Sequence, residues 1–322
     1  MTVRRLLVSA LLLLGAAAPA VAQQSRFAVI VQGASGDPEY ATLHRGWVDA
    51  MTKVLRDQFR MDPRSLIVLT EKPGAGEERS SAEAVRAAFA RLAKESKSND
   101  LVFVMLIGHG SGDASSAKFN LIGPDLTTEE WAALLEPVPA RMAFVNSTSS
   151  SFPFLAGLSG SNRIVITATN SPSQRFHTHF PGAFITALTS PDADTDKNGR
   201  ISLLEAFTHA SRLVAQQFEQ NFRMATEKAL LDDNGDGKGR EAGAAGPDGE
   251  VAAFTYLDTA AAPVSSDPEV QKLLVRQQQL TEEIDELRRR RASMPAAEFE
   301  REFERLIIDL SLVSRDVRRR RK

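Results

Sequence analysis

Apolar residues occur as short dense runs separated by longer amphipathic stretches. Phe27–Val31 (FAVIV), Leu66–Leu69 (LIVL), Leu101–Ile107 (LVFVMLI), Met142–Val145 (MAFV) and Arg163–Ala168 (RIVITA) have helix-like stretches between them and lack the every-other-residue polarity of a half-exposed strand. They predict strands buried on both faces, as in a parallel sheet. Between them, Tyr40–Phe59, Ser81–Ala93 and Thr127–Leu135 predict helices, the last opened by a capping box of Thr127 and Glu130. Strand and helix in alternation predict an α/β fold with a doubly wound, mostly parallel sheet flanked by helices. In such a sheet, chemistry gathers beyond the carboxyl ends of the strands, where the strand order reverses. Loops 108–113 and 146–151 are therefore the places to look.

A different pattern begins after residue 257. Residues 258–269 (DTAAAPVSSDPE) are small, polar and proline-bearing, which marks a linker between a 23–257 domain and a 270–322 appendage. In the appendage Leu273, Gln277, Leu280, Ile284 and Leu287 fall at alternating spacings of four and three. After a break at Pro295, Phe299, Phe303, Leu306, Leu310, Val313 and Val317 resume the pattern. A C-terminal helical hairpin, or short antiparallel coiled coil, is the expected structure, and its seam could meet a protein partner. Arg288–Arg291 and Arg318–Lys322 put positive charge at the two helix ends, where the helix dipole favours it and where contact with an anionic surface is also open.

The amino terminus carries Arg4 and Arg5, an apolar run from Leu6 to Leu14, and Ala20-Val21-Ala22, the plan of a signal peptide over residues 1–22. Cleavage near Ala22 predicts a periplasmic or secreted protein, with no transmembrane segment in the mature chain. The net charge of −2 gives no global footprint for nucleic acid, so no nucleic-acid partner is expected. The 322 residues include no cysteine, which removes disulfides and every thiol mechanism together.

That absence matters because of what the loops contain. VMLIGHG places His109 between two glycines at a strand end, and FVNSTSSS places Asn146 through Ser151 at the end of the next strand. These ordered motifs resemble those of the legumain-like, caspase-fold cysteine peptidases, in which a strand ending in His-Gly is followed by a strand ending in Asp-Ala-Cys or a close variant. The segment FNLIGPDL and the strand RIVITATNS fit the same family, and the resemblance spans about residues 26–215. It implies a caspase-like fold, with His109 in the place of the general base, Thr148 in that of the nucleophilic cysteine and Asn146 in that of the preceding Asp. A thiol with a pKa near ~8.5 ionises beside a histidine, whereas a hydroxyl must lose its proton during attack to a well-oriented base. Three readings follow for the loop: a structural turn, an inactive cleft that binds a peptide or protein, and a hydrolase using Thr148, Ser147 or Ser150 with His109. The inactive reading is preferred. No local carboxylate orients His109, although Asp113 lies near in sequence. His177 and His179 (RFHTHF) have a spacing of two and no third ligand nearby, which favours a loop or core role over a metal pair.

Calcium is the one expected cofactor. Asp194, Asp196, Asn198, Gly199, Ser202 and Glu205 match positions 1, 3, 5, 6, 9 and 12 of an EF-hand loop, with Arg200 offering its carbonyl at position 7. A structural role is expected, tying the helix ends around Leu188 and Glu205 together, with extracellular-type affinity of ~10⁻⁴–10⁻³ M. A helix-capping loop without metal is the competing explanation. Asp232, Asn234 and Asp236 begin a second such loop, but Gly243 stands at position 12 and Glu241 would have to substitute from the wrong place.

Overall fold

The computed structural model describes residues 24–113, 116–259 and 265–320. The expected signal peptide lies outside the described residues, as do linker residues 260–264 and the last two residues of the terminal basic run. The first half runs β1 (Arg26–Gln32), α1 (Pro38–Lys53), β2 (Leu66–Thr70), β3 (Glu78–Arg79), α2 (Ala82–Glu95), β4 (Leu101–Ile107), β5 (Gly110–Gly112), β6 (Ala117–Phe119), β7 (Leu126–Thr127), α3 (Thr128–Leu135) and β8 (Arg141–Asn146). It continues with α4 (Phe152–Leu158), β9 (Arg163–Thr167), α5 (Phe180–Ala187), α6 (Leu203–Gln220), β10 (Leu230–Asp232), α7 (Pro268–Arg289) and α8 (Ala296–Arg320).

Seven strands form one sheet in the order β10-β9-β8-β4-β1-β2-β3, parallel except for β10 at the edge. All seven residues of β4 are buried, and they alternate between two cores. Phe103, Met105 and Ile107 face α1, α5 and α6 through Met51, Phe184 and Phe207. Val102, Val104 and Leu106 face α2, α3 and α4 through Phe89, Trp131 and Phe154. A strand covered on both faces has no polar side to show, which is why its sequence reads as an unbroken apolar run.

The expected strands all form, and the Thr127–Glu130 capping box is present in both directions. Other details differ. The first helix starts at Pro38 with Asp37 as its cap and changes to a π-helical turn over Val54–Gln58, so it is shorter than the Tyr40–Phe59 pattern. The three-stranded sheet β5-β6-β7 and the antiparallel β10 have strands of two or three residues, too short for periodicity to reveal.

The hairpin forms as expected, with Leu280, Ile284, Leu287 and Leu306 buried between its arms. Its outer end is closed by Val270, Leu274 and Val317. Leu273 is only partly buried there, because the seam passes through its neighbour. Gln277 Nε2 donates to Ser314 Oγ across the hairpin at 2.9 Å. The helix begins at Pro268, inside the expected linker, where Asp267 caps it. Glu286 meets Arg141 of the core at 3.7 Å, and the Arg289 guanidinium donates to the Phe254 carbonyl, which fixes the hairpin to the domain. Among the described residues, no helix is long and apolar enough to cross a membrane.

One buried carboxylate folds the segment after β10 back on itself. Asp233 is 7% exposed and accepts the backbone N–H groups of Gly249 (2.7 Å), Val251 (2.8 Å) and Ala252 (2.7 Å). Truncating it leaves three buried donors without an acceptor. Asp233→Ala is therefore expected to cost about 2–4 kcal/mol in urea unfolding, with Asp233→Asn costing less; a loss under ~0.5 kcal/mol for the alanine variant would contradict this role.

Candidate functional site

Strand order reverses between β1 and β4, the point where a doubly wound sheet opens a crevice at its carboxyl edge. His109 follows β4 and Ser35 follows β1, so pairing of these strands brings the two together. The His109 ring bonds to the Ser35 backbone, which raises its affinity for a proton, but burial outweighs this and holds the pKa below the ordinary histidine value. The orienting group is thus a main-chain acceptor and not a carboxylate. The Asp113 carboxylate accepts the Ser116 N–H at 3.1 Å.

The expected meeting of loops 108–113 and 146–151 is present, since β4 and β8 pair in parallel. Ser149 Oγ donates to the Gly110 carbonyl at 3.1 Å. A Cβ at Gly110 would lie 2.2 Å from the Ser149 carbonyl oxygen and 2.8 Å from Thr148 Oγ1, so only glycine permits this approach. Thr148 is 1% exposed. Its hydroxyl donates to Asn146 Oδ1 at 2.7 Å, with the Ser149 carbonyl 3.1 Å away, and its own N–H also donates to Asn146 Oδ1 at 3.1 Å. Ser147 Oγ donates to the Leu106 carbonyl, and Ser151 Oγ lies 3.0 Å from Thr169 Oγ1. Ser150 holds the left-handed conformation at φ 53°, and its N–H donates to the Gln174 carbonyl. Asn146 Nδ2 is buried and has no partner among the described residues.

Around His109 the fold gathers groups that are distant in the sequence. The His109 ring centroid is 4.8 Å from that of Tyr40, 5.0 Å from His44 and 6.2 Å from His177. Trp47 stacks on His177 at 5.4 Å with the rings 3° from parallel. His44 is fully buried, with Nδ1 3.2 Å from Ser35 Oγ and Nε2 without a partner among the described residues. Neither ring nitrogen of His177 has one. Burial first, and then the neighbouring imidazoles, push His44 and His177 down to about 4. His179 lies beside this group and is held below its ordinary value by burial and Arg223. Thus His177 and His179 occupy a loop, as expected, but His177 joins the His109 cluster. Tyr40, His44 and Trp47 were missed, although their spacings of four and three place them on one face of α1.

Two acidic loops lie away from this edge. In the α5–α6 connection, Asp194, Asp196 and Glu205 each bring an oxygen within 4.8 Å of the others. Asp194 accepts Asn198 N–H (3.1 Å) and Gly199 N–H (3.0 Å), while Asn198 Oδ1 accepts Arg200 N–H (2.8 Å). Glu205 accepts from Thr195 and from Ser202, forming a capping box with the latter. Burial opposes its ionisation, yet these donors hold the carboxyl below its usual range. The Arg200 guanidinium turns away to Asp258. In the second loop Asp232 and Asp236 are joined by Asp248, again within 4.8 Å. Glu241 is not the substitute acid: it accepts from Asn170 Nδ2 at 2.7 Å, because the fold of the 232–252 segment returns Asp248 instead.

No protein-family model matches the chain, and no curated protein matches it. Among solved structures, the GSU0716 protein of Geobacter sulfurreducens is similar over 70% of this chain and 96% of its own, with 13% identity and a TM-score of 0.43. The Drosophila initiator caspase Dronc is similar over 67% of this chain and 81% of its own, with 11% identity and a TM-score of 0.43. Likenesses this remote carry no residue roles to the chain.

The histidine cluster has a pH signature. His44 titrates near 4 when folded and near its ordinary 6.5 when unfolded, so its stabilising effect is complete above ~6.5 and is lost as the pH falls toward 4. Urea unfolding at pH 7.5 and 4.5 should show a smaller drop for His44→Gln than for the parent, by about 2 kcal/mol. An equal drop in both proteins would mean that the buried imidazole does not carry the effect.

Proposed function

We propose that this chain is an exported, catalytically inactive relative of the legumain-like, caspase-fold peptidases, which binds a peptide or protein at the loops around His109. The observation that carries this reading is the state of Thr148: its hydroxyl is buried and committed to Asn146 Oδ1. Attack by an alcohol requires a base in contact with it, and the acceptor in contact here is a neutral amide. The His109 ring is instead packed among Tyr40, His44 and His177, and the partly exposed rings of Tyr40, His109 and His177 offer aromatic and imidazole surface that suits contact with a partner side chain. The C-terminal hairpin is a second candidate surface for a protein, and its terminal arginines for an anionic surface.

A second reading, a hydrolase working through His109, draws on Ser150. Its left-handed backbone is the kind of local strain that clusters at reactive positions. Incubation with a broad peptide library separates the two. The proposal expects no more cleavage by the parent than by His109→Ala, with a subset of intact peptides retained by the immobilised parent. Cleavage that disappears with His109→Ala would establish the hydrolase, and a complete lack of retention would remove the binding role.

Calcium in the α5–α6 loop completes the proposal. Asp194, Asp196 and Glu205 each bring a carboxylate oxygen within 4.8 Å of the others, and Asn198 and Arg200 stand at the loop positions that would add an amide oxygen and a main-chain carbonyl. Bound ion would hold the start of α6 against the end of α5, so its role is structural. At calcium ten times its dissociation constant the gain is about 1.4 kcal/mol, or ~2–4 °C in Tm. The parent should show this rise over a chelator control and Glu205→Gln should not; an unchanged parent midpoint at 10 times ~10⁻³ M calcium would exclude the site.

A further inference from the structure

A cleft of ≈ 730 Å³ separates the inner end of the hairpin from the segment around Arg240–Phe254, and it shares no residue with the His109 cluster. That volume is in the range of small-molecule sites, roughly 300–1,000 Å³. Three phenylalanines line it, Phe254 from the core and Phe299 and Phe303 from α8, and three arginines stand among them: Arg240, Arg288 and Arg291. The Arg288 guanidinium carbon lies 4.9 Å from the Phe254 ring centroid and 5.4 Å from that of Phe303, while that of Arg291 lies 5.7 Å from Phe299. A guanidinium held over aromatic rings in this way rests against apolar surface while its N–H groups can still meet an anion.

Charge neutralisation within the cleft is incomplete. Asp248 and Glu250 also line it. Asp248 contributes an oxygen to the acidic group with Asp232 and Asp236, and Glu250 reaches Arg291 only at 4.0 Å. Among the described residues, no carboxylate forms an ion pair with Arg288; Asp285 feels its charge from further away. Arg240 gives Nη1 to the Ala244 carbonyl at 2.7 Å, but its Nε is buried and has no partner among the described residues. Two of the arginines that line the cleft thus keep donor capacity that no carboxylate among the described residues uses, although Asp248 and Glu250 also belong to its lining.

We propose that this cleft binds a small aromatic carboxylate. The flat apolar body lies against Phe254, Phe299 and Phe303, and the carboxylate takes the N–H groups of Arg288 and Arg240, the kind of fork that pairs with a carboxylate through two hydrogen bonds. Because its walls come from both the core and the hairpin, the bound anion also links the two.

The probes are 2-naphthoate and its uncharged counterpart 2-naphthamide, titrated calorimetrically into the full mature chain at low salt. Saturable one-to-one binding of naphthoate, at least about tenfold tighter than naphthamide, is expected from the charge-assisted pairing. Arg288→Met keeps an apolar stem over the rings and should weaken naphthoate by about tenfold or more while leaving naphthamide unchanged. Arg240→Met provides the same comparison if the first variant does not fold, and both are checked for an unchanged circular-dichroism spectrum. Equal affinity for acid and amide, naphthoate binding indifferent to a folded arginine variant, or no saturable naphthoate binding would each overturn the proposal.

Discussion

Pairing between β1 and β4 positions everything of chemical interest in this protein. Seven residues of each strand are in register, from Arg26 opposite Leu101 to Gln32 opposite Ile107. Both strands lie inside the sheet with cores on either side, so a shift of one residue would exchange the two apolar sets and bury neither correctly. This register delivers the Ser35 backbone to His109, and the β4–β8 register then delivers Gly110 to Ser149. The loop geometry is consequently a property of the sheet and not of the loops alone.

With the edge fixed, acid strength and hydrogen bonding decide what it can do. Thr148 has an acceptor in Asn146, and Ser147 and Ser149 have carbonyl acceptors of their own. Each hydroxyl satisfied in this way stabilises a closed turn and is less available to a base. On the other side of His109, burial favours neutral imidazoles, so His44 stays uncharged in the interior and the partly exposed His109 and His177 rings present uncharged surface at neutral pH. Away from the edge, carboxylates do the connecting work: Glu205 organises the start of α6 and Asp233 organises the segment that follows β10.

Much of this was legible in the sequence wherever a long periodic signal existed. The buried strands, the capping box at Thr127 and the hairpin seam all follow from patterns of many residues. The two loops could be paired because adjacent parallel strands end at the same edge. Contacts that depend on the return of a distant segment were hidden. His44 and Trp47 lie on α1 and His177 in the loop before α5, and nothing in their local sequence announces that they share a site with His109. Asp248 was missed for the same reason, since a loop template counts positions along the chain while the fold supplies the acid through a long return. The hairpin differed by one residue at its outer end, where Val270 and Leu274 are buried.

Inactivity at this edge rests on the hydroxyls of Ser147, Thr148 and Ser149 being held by local acceptors, and on none of the hydroxyls of residues 147–150 being activated by His109. Treatment of the folded protein with a fluorophosphonate and a β-lactone, followed by peptide mass mapping across that loop, interrogates this directly. The expected result is no adduct on Ser147, Thr148, Ser149 or Ser150 beyond that of the denatured chain. A stoichiometric adduct on any of them that vanishes in His109→Ala would contradict it.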